Sequence, residues 1–177
     1  MHVKARTMAF SGLLLALSVV CMALGSVIET NTLFLLAAAS FFVGIIIREF
    51  GLKMGTAFYL ADVLLGFLVA PNKFYVLSFA AMGFYILAIE FAWRLLAKRL
   101  QLRHRRAIFW GVKYVVFNVM YIPMVLLLQE LLFTRTISAP FLLGVIAVGQ
   151  VGLWIYDRAY EYVQGHIWTK MRGRLLG

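Results

Sequence analysis

The sequence predicts an all-α integral membrane protein, a bundle of six transmembrane helices with both termini in the cytoplasm. Three observations predict it. Apolar runs of about helix-span length recur along the chain. Basic residues fall in alternate connections between those runs. Tryptophans fall at one end of the runs, where amphipathic rings sit at a membrane interface. With 64% hydrophobic residues and a mean hydropathy of +0.93, the 177-residue chain has too little polar surface for a water-facing fold.

The first run, about 8–28, follows Lys4 and Arg6 and precedes Ala23-Leu24-Gly25, which gives it the outline of a signal peptide. Its length of about twenty residues exceeds a signal core, so it reads as a retained span. The second run, about 33–47, is short, and the third, about 54–70, is borderline. They read either as two spans with little tilt or as a re-entrant pair around Arg48-Glu49-Phe50-Gly51-Leu52-Lys53. Ala70-Pro71-Asn72-Lys73 separates the third run from the fourth, about 74–93. The fifth, about 107–132, carries Pro123, which predicts a kink. Ser138-Ala139-Pro140 offers an N-cap and an early proline for the sixth, about 138–157. Beyond it the helical pattern persists over 158–175, read as a cytoplasmic extension. There Asp157 and Glu161 share a face, as do Arg158 and Glu161. The chain is one domain, without internal repeat or low-complexity segment.

Charge sets the orientation. Lys4 and Arg6, Arg48 and Lys53, the group Arg94, Lys98, Arg99, Arg103, Arg105 and Arg106, and Arg158, Lys170, Arg172 and Arg174 all fall on one side. The alternate connections hold Lys73 and Arg135. The basic side is therefore the cytoplasmic one, in a cell membrane. Trp93, Trp110, Trp154 and Trp168 map to the same side. This topology accounts for the formal charge of +10 without nucleic acid as a partner.

Enzyme motifs are missing. His2, His104 and His166 lie in basic segments without metal-ligand spacing, Cys21 is alone, and there is no phosphate-binding loop. The expectation is a protein without catalytic function, metal or cofactor, whose energy for any uphill transport comes from a gradient or a partner.

Ionisable groups inside a span cost about 2.5–3.5 kcal/mol on insertion scales and are candidates for function. Asp62, mid-span beside Ala61 and Gly66, reads either as a ligand, ion or proton site or as a packing residue hydrogen-bonded to a neighbouring helix. Glu90 and Lys113 lie near the inner interface, where Glu90 can reach Arg94 or pair with Lys113. Asn118, Tyr121, Gln129 and Glu130 climb span five, Gln150 sits midway in span six, and Asn72, Lys73 and Tyr75 stand at the outer end of spans three and four. Together they read either as an outward-facing cavity or as interhelical bonds and interface anchors.

The first span carries a face almost bare of side chains: Ala9, Gly12, Ala16 and Ala23 recur at helical spacing. Small residues let helix backbones approach closely in lipid. Six short spans, both termini inside and the small pair Gly12 and Ala16 together resemble the S component of an energy-coupling factor (ECF) transporter, in which an Ala-x-x-x-Ala pair on span one docks on a coupling transmembrane subunit. The stretch FFVGIIIREFGLKMGTAFYLADVLLGFLVAPNKFYVL is also similar to small S-component-like proteins of Gram-positive bacteria. The resemblance implies a bacterial substrate-binding subunit for uptake of a small-molecule solute, in the vitamin or precursor class. Such a subunit works with the coupling subunit and, through it, two cytoplasmic ATPases, and topples in the lipid bilayer. By position the resemblance nominates Asn72, Lys73, Tyr75, Tyr121, Gln129, Glu130 and Gln150 for the solute. Two other readings stand beside it: a non-transporting scaffold subunit, and a small gradient-driven carrier using Asp62.

Overall fold

The computed structural model describes residues 5–98, 105–127 and 139–175. All regular structure among them is helical. In chain order the elements are α1 (Ala5–Val27), a 3-10 turn (Glu29–Asn31), α2 (Thr32–Phe50), α3 (Leu52–Val69), α4 (Lys73–Lys98), α5 (Arg105–Leu127) and α6 (Ala139–Tyr162). A π-helical stretch, Val163–Trp168, joins α6 to a last helix, α7 (Thr169–Leu175). Six helices are long and apolar enough to cross a membrane, the architecture of a multi-pass membrane protein.

The second and third spans are longer than the apolar runs that announce them, at 19 and 18 residues. The extra length comes from Arg48, Glu49 and Lys53, which interrupt the hydropathy without interrupting the helices. One residue separates the two. Gly51 adopts φ +93°, a backbone region open to glycine, and its N–H bonds back to the Ile47 carbonyl at 3.0 Å. The chain thus reverses between two helices that are each long enough to span.

α2 is the central post. It packs closely against α1, α3 and α4, and its buried residues run almost continuously from Ala39 to Ile47. α1, α3 and α4 complete a tight cluster around it, while α5 leans on α4 and approaches α6 at few points. α6 reaches α2 through long aromatic side chains: the rings of Tyr156 and Tyr160 stand 5.3 and 5.6 Å from Phe41. Gly44 makes room for that contact, because a Cβ there would collide with the Tyr160 ring. α5 passes through Pro123 as one continuous helix. The unequal packing leaves two hollows between the α2/α4 wall and the α5/α6 pair.

The start of α1, the ends of α2, α4 and α6, and the starts of α3 and α5 share one end, here the basic end. Residues 158–168 belong to it structurally. Tyr160, Gln164 and Trp168 are buried, Gln164 Nε2 donates to the Phe41 carbonyl at 3.1 Å, and Trp168 packs on Phe10 and donates to Glu49 at 2.9 Å. The segment following the sixth span is therefore folded onto α1 and α2 over these residues.

Candidate functional site

α1 turns two opposite faces to its surroundings. Phe10, Leu14, Ser18, Met22 and Gly25 are buried in the bundle, each one helical turn from the next. Ala9, Gly12 and Ala16 are exposed on the far side and Ala23 is half-buried. A Cβ added at Gly12 would meet nothing within 4 Å. Among the described residues, the bare stripe faces no other helix of this chain.

Asp62 points the other way, into the bundle. It is fully buried on α3, and Ser18 of α1 donates a 2.5 Å hydrogen bond to its Oδ2. The same hydroxyl lies 3.4 Å from the Ala39 carbonyl of α2, so three helices meet at one polar point. Asp62 Oδ1 has no partner. The nearby hollows do not reach it.

The apolar hollow, about 720 Å³, lies between α2, α4, α5 and α6 and runs from Leu33 and Phe34, at the end opposite the basic one, to Val163. Its size suits a small-molecule site. Phe34, Ala38, Ala81, Phe117, Met120 and Gly152 form its walls, and Tyr85, Tyr121 and Tyr156 turn their rings to it. Their hydroxyls are engaged elsewhere. Tyr121 donates to the Val145 carbonyl at 2.9 Å, Tyr85 to Asp157 at 3.3 Å, and the Tyr156 hydroxyl meets Ser40 at 2.8 Å and the Met82 carbonyl at 3.3 Å. What remains is an aromatic, hydrocarbon-like lining.

Of the residues nominated for the solute, Tyr121 is on this wall. Asn118 and Gln150 are brought together as a reciprocal amide pair, at 2.8 and 3.2 Å, clamping α5 to α6. Asn72 caps α4 by accepting from the Phe74 N–H at 3.0 Å. Lys73 closes α3, donating to the carbonyls of Phe67 and Ala70. Tyr75 packs, half-buried, against the core. Gln129 and Glu130 lie outside the described residues.

Two ionic clusters stand at the basic end. Glu90 receives Arg48, not Arg94, at 2.7 Å and a hydrogen bond from Tyr160 at 2.7 Å. Arg94 instead donates to the Ile47 carbonyl at 2.7 Å. Lys113 pairs with Asp157 at 2.7 Å and Glu161 at 2.8 Å rather than with Glu90, and Asp157 is also held by Tyr85. The i,i+4 placement of Asp157 and Glu161 leaves two carboxylates facing one way, a signal for a cation there but not for which one. Arg48 with Glu90, and Ser18 with Asp62, carry no local signal; both join residues more than forty positions apart. No group of side chains suited to a metal ion occurs among the described residues.

No family model, curated protein or solved structure matches the chain. Fold and site define a class, a six-helix membrane protein with an apolar hollow and an outward-facing bare stripe.

Proposed function

We propose that this protein is a solute-binding membrane subunit of an ECF-type importer, which captures a small apolar or aromatic molecule and docks on a coupling subunit through α1. The single observation that carries the proposal is the outward turn of the Ala9, Gly12 and Ala16 face, bare of neighbours, on the span where such subunits are expected to dock. In lipid a partner helix gains close van der Waals contact there, with no large side chain to displace. The hollow reaches Leu33 and Phe34, at the end that the positive-inside rule assigns to the outside, where a solute arrives. Its lining favours an apolar body over a strongly polar vitamin. The two cytoplasmic ATPases supply the energy in this reading.

Affinity purification from cells expressing the full chain tests it. Gly12→Leu and Ala16→Leu leave the protein inserted but remove the co-purifying coupling subunit, and mass spectrometry of the purified wild type finds a retained small molecule that Ala81→Phe excludes. Unchanged co-purification counts against docking. Docking without any retained molecule favours a scaffold subunit.

A further inference from the structure

The second hollow, about 780 Å³, lies at the basic end between α2, α4, α5 and α6. Arg48, Arg94, Arg106, Lys113 and Arg158 line it against Glu90 and Glu161. Its carboxylates are already engaged: Glu90 by Arg48 and Tyr160, and Glu161 by Lys113 and, at 3.4 Å, Arg158. Counting Asp157, which takes Lys113 from below, two positive charges remain in excess. They lie toward the rim. Arg106 is exposed and has no ion pair among the described residues. Arg94 spends one donor on the Ile47 carbonyl and keeps others. Arg158 is exposed, with its guanidinium stacked 5.8 Å from Trp110 and 6.0 Å from Trp154.

We propose that this hollow binds the phosphate of an anionic phospholipid headgroup, gripped by Arg94, Arg106 and Arg158. Several guanidinium groups converging on one concavity match phosphate oxygens, and basic pockets between spans on the cytoplasmic side suit acidic headgroups. The surroundings select a lipid over free phosphate. Trp93 and Trp110 wall the hollow at the depth where indole rings meet headgroups. Trp154, one helical turn before Arg158 on α6, is exposed beside it, so three indole rings mark the level at which headgroups meet acyl chains. The site stands apart from the importer reading, because it uses none of the residues that carry that reading.

Native mass spectrometry of the full chain, with phosphatidylglycerol or phosphatidylcholine added, tests the assignment. The expected result is one retained phosphatidylglycerol per chain, preferred over phosphatidylcholine by about tenfold or more. Arg106→Gln with Arg158→Gln abolishes the preference, whereas Arg106→Lys with Arg158→Lys keeps most of it. Lys53→Gln with Lys170→Gln removes equal charge from exposed positions at the same end and leaves the preference intact. Thermal stability in detergent rises with phosphatidylglycerol but not with inorganic phosphate. Equal loss in the two Gln pairs reduces the effect to general charge attraction and overturns the site. So does a wild type without preference, and stabilisation by inorganic phosphate alone overturns the lipid assignment.

Discussion

The Ser18 hydroxyl donates to Asp62 Oδ2 at 2.5 Å across the interface of α1 and α3, where both residues are fully buried. This contact satisfies one of the two oxygens of a carboxyl group in the middle of an apolar span. It also separates two roles for Asp62. A packing role needs a hydrogen-bond acceptor at Oδ2, while a proton-carrying role needs a group that ionises.

Asp62→Asn keeps the acceptor and the shape. The expected outcome is an unfolding midpoint in detergent close to wild type, with solute uptake retained. Ser18→Ala leaves the buried oxygens of Asp62 without a donor and costs about 1–3 kcal/mol. Loss of uptake in a stably folded Asp62→Asn protein would instead assign Asp62 to a gradient-driven carrier.

Gly44 and Gly12 make a matched pair for the two kinds of close approach. A Cβ at Gly44 would meet the Tyr160 ring, so Gly44→Ala forces α2 and α6 apart or turns the ring off Glu90. Overpacking of this kind costs about 1–3 kcal/mol. Gly12→Ala meets nothing and leaves stability unchanged or slightly higher, because alanine favours the helix. Chemical unfolding of the two variants under identical detergent conditions compares them. Equal midpoints would mean that α6 does not press on α2 as described.

Lys113 is nearly inaccessible and holds Asp157, which is wholly so. Lys113→Met strands a buried carboxylate and is expected to destabilise by about 3–5 kcal/mol. Adding Asp157→Leu to the same chain recovers most of that loss, because the uncompensated charge is gone. A double-mutant cycle on thermal midpoints measures the coupling, and additive losses would dissolve the pair.

How much was legible in the sequence differs between the helices and their contacts. Six spans followed from apolar runs, since each must bury its own backbone polar groups in lipid. The cut at Gly51 was legible as a break, but two full helices around it were not, because Arg48, Glu49 and Lys53 lower the hydropathy without weakening the helical backbone. The shared face of Asp157 and Glu161 was legible from their spacing, and their partner Lys113 was not. Among the residues nominated for a solute, Asn72 and Lys73 proved to be helix-end ligands of the backbone, roles that any exposed polar group near a turn can take. The aromatic hollow left no motif, because its walls use the same residues as ordinary apolar packing.

By itself the sequence determined an α-helical membrane chain, its span count, the basic end and the bare stripe on α1, all of which depend on periodicity and composition within one segment. The tertiary structure alone decided which way that stripe faces, which carboxylate meets which cation, and that α5 and α6 meet at few points and leave two hollows against α2 and α4. Those outcomes depend on how bulky and small side chains fit between helices distant in the chain, as Tyr160 fits against Gly44. Nothing in a single span records the shape of the one it will meet.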